Sequence, residues 1–111
     1  MTVLLLLFFS CAREKARDPF CVGPSGTNYI NDIEPIIFQH CSIAGCHSSA
    51  SAQGGISLTN YAEVSLAIQN PAFLGSIRRE SGFIAMPPNY ILSDSLVEKI
   101  TCWRDNGLPE N

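Results

Sequence analysis

Two cysteines and a histidine stand within seven residues of one another, Cys41-Ser42-Ile43-Ala44-Gly45-Cys46-His47, and much further along comes a methionine followed by two prolines, Met86-Pro87-Pro88. Thiolates hold soft metals, thiols pair as disulfides or add to an alkene, and imidazole and thioether both ligate iron. Three chemistries are therefore open to this set.

A structural zinc site takes four Cys or His donors in a tetrahedron. Cys41, Cys46 and His47 offer three, with His40, Cys21 or Cys102 as a fourth. Cys46 and His47 are sequence neighbours, however, and two adjacent side chains are awkward to aim at one ion. No second Cys-x2-Cys or His-x3-His half accompanies them. A Cys41–Cys46 disulfide is feasible, but it leaves His47 and the Met-Pro-Pro segment without a role. Covalent haem attachment uses all of them. Cys41 and Cys46 would form thioethers to the two vinyl groups, and His47 would reach the iron as proximal ligand. Here adjacency helps, because the second thiol and the imidazole address different atoms of one flat cofactor. The spacer Ser42-Ile43-Ala44-Gly45 is two residues longer than the usual attachment box, but it is small or turn-compatible and can bulge outward. Met86 would be the distal ligand, the alternative being a core filler. His40, beside Cys41, reads as an exposed or helix-end histidine.

The elements that must position these groups are short. The chain has 111 residues, enough for one domain, and a core of that size benefits from a disulfide, metal or large cofactor. With 46% hydrophobic and 15% charged residues it is too apolar to be disordered. A net charge of -3 without a basic stripe argues against a nucleic-acid partner. Ile33, Ile36, Ile37 and Phe38 recur at helical spacing, with Asn31 and Glu34 as a capping box and Pro35 in the first turn. Residues 48–55 are small and polar, hence loop. Helical patches follow at about 61–68 and 72–79. The adjacent prolines exclude regular helix from 81–92. Ser93 caps a closing helix from Asp94 to about Asn106, with Gly107 at its end and Leu96, Ile100 and Trp103 on one apolar stripe. No segment shows a sustained strand alternation. The expectation is an all-α domain of a few short helices and long loops.

The N-terminus reads differently. Residues 1–10, MTVLLLLFFS, are far short of the roughly 20 apolar residues that span a bilayer, and suit the apolar region of an export signal. Cys11 follows at once, and LFFS-Cys11 resembles the lipobox of bacterial lipoproteins. That resemblance implies cleavage before Cys11 and lipidation of it; an ordinary secretory signal, or a start codon assigned too late, is the alternative. AREKARDP behind it reads as a solvated tether. Residues 11–27 thus form lipidated cysteine, tether and turn-rich lead-in, and 28–111 the folded domain. The location expected is outside the cytoplasm, periplasmic or at the cell surface, where disulfides persist.

The order of these pieces is similar to a class I cytochrome c domain, and more closely to bacterial surface-anchored cytochrome c-like domains with an extended C-x4-C-H box. The matching text is DIEPII (Asp32–Ile37), CSIAGCH (Cys41–His47), MPPN (Met86–Asn89) and ITCWRDNGLPEN (Ile100–Asn111), so the likeness runs from Tyr29 to the C-terminus. It implies an all-α, cytochrome c-like fold wrapped around one covalent haem c. It also implies single-electron transfer with His47 and Met86 as axial ligands, and no catalysis at the iron. In that fold the first and last helices pack together, which implies a Cys21–Cys102 disulfide; two buried free thiols are the alternative. Arg78 or Arg79 would pair with a haem propionate or else lie solvated at a helix end, and Trp103 would pack against haem or the first helix. Redox proteins met in transient contacts are the expected partners, with the membrane reached through the lipid anchor. Two other functions stay open: a haem enzyme or gas sensor whose Met86 is displaced by a ligand, and a haem-free, disulfide-stabilised or metal-binding interaction module.

Overall fold

The computed structural model describes residues 18–21 and 26–111. The signal segment 1–10, Cys11 and the tether up to residue 17 lie outside the described residues. Among the described residues the chain is helical, with four short α-helices and no strand. A widened π-turn, Tyr29–Ile33, runs directly into α1, Glu34–His40. A single 3-10 turn occupies Gln53–Gly55, followed by α2, Tyr61–Ile68, and α3, Pro71–Ile77. A long loop leads to α4, Asp94–Asp105. No described helix is long and apolar enough to cross a membrane.

The first helix starts earlier than the Asn31/Glu34 capping box predicts. Asn28 is the cap: its side-chain oxygen accepts from the Asn31 amide at 2.9 Å, and Asp32 reaches back to accept from the Asn28 amide at 2.9 Å. The extra residue in that first turn shifts the hydrogen bonding by one, so the Glu34 N–H donates to the Tyr29 carbonyl. Pro35, which has no N–H, sits just after the widened turn and at the start of α1, where its ring is tolerated. Ile33, Ile36 and Ile37 turn inward as the spacing predicts, whereas Phe38 faces outward and is 45% exposed.

The end of the chain returns to this beginning. Gly107 (φ 90°) ends α4 in the left-handed conformation, and the tail then folds back. Tyr29 and Ile30 donate their amides to the carbonyls of Pro109 and Glu110 at 2.9 and 3.2 Å. The orphan amides at the helix N-terminus are satisfied in this way by the tail. Trp103 is fully buried and its indole N–H donates to the Pro109 carbonyl at 2.9 Å. Its ring packs against Tyr29 (centroids 5.8 Å) and Tyr61 (6.3 Å), and Tyr29 meets Tyr61 edge-on at 5.4 Å. The Tyr61 hydroxyl donates to the Leu108 carbonyl at 2.7 Å. Aromatic contacts and polar tips thus join α2, α4, the first helix and the tail at one point.

Ile100 and Trp103 of the predicted stripe turn fully inward and Leu96 only partly, while Val97, Thr101 and Cys102 are buried as well. A second layer covers Thr101 and Cys102. Cys102 lies at disulfide distance from Cys21, with Cα atoms 4.8 Å apart across 81 residues of sequence. Beside it, Arg78 Nη2 donates to Asp18 at 2.8 Å and to the Thr101 hydroxyl at 2.9 Å, with its guanidinium 4.5 Å from the centre of the Phe20 ring. Arg104 donates to the same Asp18 oxygen at 2.9 Å. The sequence reading of a solvated tether therefore stops short of Asp18, because two guanidinium groups and a disulfide fasten Asp18 to Cys21 onto α3 and α4.

Burial opposes ionisation of Asp18, but the Phe20 amide and the Arg78 and Arg104 guanidinium groups outweigh it and hold the carboxyl below its usual 3.8. A depressed carboxyl contributes stability that is complete above the unfolded value and is lost as pH falls through the folded one. Asp18→Asn should therefore lower unfolding free energy at pH 7 on the order of 1–3 kcal/mol, through lost charge-assisted bonds. The gap between variant and wild type should begin to narrow only as pH falls below 3.8 and close below the depressed folded value, and urea titrations stepped downward from pH 7 check both the loss and its acid limit. Reduction of Cys21–Cys102 should cost roughly 2–4 kcal/mol; coincident urea midpoints with and without reductant would contradict the pairing.

Candidate functional site

The Cys-x4-Cys-His segment begins where α1 ends. Cys41 and Ser42 both donate their amides to the Ile37 carbonyl at 2.8 Å, which closes the helix with a bifurcated turn. The His47 amide donates to the Cys41 carbonyl at 3.0 Å and the Cys46 amide to the Ile43 carbonyl at 3.0 Å. These two bonds pinch off the spacer as a small loop. Ile43, Ala44 and Gly45 are exposed, though Ile43 and Gly45 also border the adjoining cavity, and Gly45 takes φ 82°, a conformation that costs a side-chain-bearing residue. The two additional spacer residues are thereby absorbed without separating the backbone of Cys41 from that of His47. Downstream, the Gln53 amide donates to the Cys46 carbonyl and the Leu58 amide to the His47 carbonyl, both at 2.9 Å, so each end of the box is anchored.

The Met86 loop is fastened to α3. The Met86 amide donates to the Ser76 carbonyl at 3.1 Å. Gly75 is buried because the Phe83 ring lies on it, and a Cβ there would overlap that ring. The Met86–Pro87 peptide is cis.

These two segments wall one cavity of about 330 Å³, at the small end of the ligand-pocket range of about 300–1,000 Å³. Cys41, Cys46 and His47 line it from the first segment, together with spacer residues Ile43 and Gly45, and Met86 to Tyr90 line it from the second, with Ile77 of α3 and Gln53 also in the wall. The four residues that sequence reasoning singled out for haem are thus brought to the same space. Most of the lining is apolar.

The donor chemistry of the wall fits a covalently held haem. His47 Nδ1 lies 2.9 Å from the Ile56 carbonyl. A carbonyl only accepts, so Nδ1 carries the proton, and Nε2 keeps the lone pair needed for a metal. A carbonyl partner on the far nitrogen is the usual support of a ligating histidine. Cys41 and Cys46 are both free thiols, so the disulfide between them is not formed. Zinc fares poorly on the same geometry. Cys21 and Cys102 are joined to each other elsewhere, and among the described residues no three His, Cys, Asp or Glu side chains form a metal-holding group.

His40 is where the sequence reading falls short. It closes α1 as expected, but it is half-buried and lines the cavity. Its Nδ1 lies 2.8 Å from the Tyr90 hydroxyl, and the two rings sit 5.7 Å apart, linking the Cys wall to the Met wall. Nothing local marks this pairing, since the partners are fifty residues apart. Trp103 packs on tyrosines and is not part of the cavity wall. Neither arginine ends in solvent: Arg78 serves Asp18 and Thr101, and Arg79 Nη2 donates to the carbonyls of Pro87 and Tyr90.

Burial, aided by the neighbouring Cys46, pushes the Cys41 thiol up to about 11. At pH 8 only about one molecule in a thousand then carries the Cys41 thiolate. In haem-free protein, alkylation of Cys41 should be slow at pH 8 and accelerate steadily toward pH 11. Peptide-resolved mass spectrometry after iodoacetamide measures this directly, and rapid labelling at pH 8 would place Cys41 in a different environment.

Compared with known proteins, the chain matches no family model, no curated protein and no solved structure.

Proposed function

We propose that this chain is an exported, lipid-anchored monohaem cytochrome c that carries single electrons between redox partners outside the cytoplasm. The observation that carries the reading is the convergence of Cys41, Cys46, His47 and Met86 on one largely apolar cavity. Support also comes from the His47 ring, whose Nδ1 is engaged by the Ile56 carbonyl. The element order supports a cytochrome c-like fold: first helix, Cys box, Met loop, and a closing helix packed against the turn that opens the first helix.

Haem bound here would supply a one-electron iron couple. Cys41 and Cys46 would hold it by adding their thiols across the two vinyl groups. Each addition would form a sulfur–carbon bond and pass the thiol hydrogen to the adjacent vinyl carbon, with no net change of redox state. His47 would bind iron through Nε2, its ring held by the Ile56 carbonyl so that it need not reorient between oxidation states. Met86 would bind through its thioether, a ligand that raises the potential. His47 and Met86 together would leave the iron no open position for a substrate, which favours a carrier over an enzyme. The apolar wall would limit water around such a couple and lower the local dielectric. Cys11 would carry the lipid, and the folded domain would meet its partners through small, transient interfaces.

Expression with a haem-attachment system followed by a pyridine haemochrome spectrum tests the proposal. A covalent c-type spectrum is expected, and its absence would falsify the proposal. Met86→Ala should keep the haem attached, lose the sulfur-to-iron absorption band at the red end of the spectrum and lower the midpoint potential. An unchanged band takes Met86 off the ligand list. Replacing His47 by Ala should impair haem incorporation and folding together, read by haem-to-protein ratio and helical circular dichroism.

A further inference from the structure

Arg79 breaks a local backbone rule. It has φ 55°, in the left-handed region that favours glycine or asparagine, yet it carries a long side chain. It comes immediately after Arg78, the C-cap of α3, where glycine commonly stands. A residue kept in such a conformation points to a compensating role for its side chain. That side chain turns to the Met86 loop: Nη2 donates to the Pro87 carbonyl at 2.8 Å and to the Tyr90 carbonyl at 2.6 Å.

The two carbonyls bracket the stretch that directly follows Met86 and lines the cavity. Pro87 and Pro88 have no N–H, so this stretch cannot secure itself through regular backbone pairing. A guanidinium supplies charge-assisted bonds in their place. Upstream the loop has its own ties, the Met86 amide to Ser76 and the Phe83 ring on Gly75. Downstream, Arg79 is the tie to α3. Arg78 offers a contrast within the same turn: its φ is an ordinary -83°, and its guanidinium is directed away from the loop, to Asp18.

We propose that Arg79 is a positioning residue for Met86, clamping the loop's carbonyls so that the thioether stays on the cavity side and rarely leaves the iron. The inference rests on the reading of Met86 as an axial ligand. Arg79 itself touches neither the iron nor a redox partner in this role. Its contribution is to lower the fraction of molecules in which the Met86 loop stands open.

Imidazole titration of the oxidised, haem-loaded protein measures that fraction, because imidazole reaches the iron only when Met86 is off, and its apparent affinity scales with the open population. Arg79→Gly and Arg79→Asn both suit the left-handed conformation, so each should fold with a thermal midpoint close to wild type. Each should bind imidazole about tenfold more tightly, as expected when two charge-assisted bonds that favour the closed loop are lost. Arg78→Gln should do the reverse, lowering the thermal midpoint while leaving imidazole affinity at the wild-type value. Wild-type imidazole affinity in both Arg79 variants overturns the inference and leaves the Met86 reading intact. Equal tightening by Arg78→Gln also overturns it, since the effect would then be general loosening. Wild-type imidazole affinity in Met86→Ala removes Met86 as a ligand, and the inference falls with it.

Discussion

The packing of Trp103 between Tyr29 and Tyr61 is the interaction on which the rest of the structure depends. It joins the closing helix, the opening turn and α2, and the polar tips of Trp103 and Tyr61 draw the tail onto the same place. A helix of seven residues such as α1 has little stability of its own in water, because nucleation is costly and few hydrogen bonds reward it. Its direction is set by the turn that runs into it, which this aromatic contact holds and whose first amides, those of Tyr29 and Ile30, the tail carbonyls cap. The Cys box begins where it ends. The orientation of Cys41 and His47 is therefore set at the far end of the same helix.

The cavity has two walls of different construction. The Cys wall continues α1 through hydrogen bonds among neighbouring residues, and Ile43 and Gly45 of its exposed spacer loop contribute to the lining. The Met wall has no helix behind its prolines, and it depends on α3 for support through Ser76, Gly75 and Arg79. The hydrogen bond between His40 and Tyr90 joins the two.

Charge is used sparingly and locally. Asp18 collects two arginines, and the adjacent Cys21 reaches Cys102, so the lead-in covers the second face of α4. That cover explains why Thr101 and Cys102 are buried beside the expected apolar stripe. The acidic Glu63 is likewise committed: the Thr59 amide, the Ser57 and Thr59 hydroxyls and its place behind the Asn60 cap hold its carboxyl below the usual value and fix the start of α2.

Helix positions, the closing cap at Ser93, the turn at Gly107 and the grouping of Cys41, Cys46 and His47 are all legible in the sequence, because periodicity, capping and adjacency act within a few residues. The first helix starts at the Asn28 cap rather than at Asn31, since Asn28 and Asp32 form the reciprocal cap of a widened turn whose one-residue shift the Asn31/Glu34 spacing does not encode. Tertiary structure decided what distant residues do. His40 became part of the cavity wall through a tyrosine fifty residues away, Arg79 took up the Met86 loop, and Asp18 was drawn out of an apparently solvated tether. The physical reason is common to all three. A charged or polar tip is satisfied by whichever partner the packed helices bring within about 3 Å, and sequence spacing carries no record of that distance.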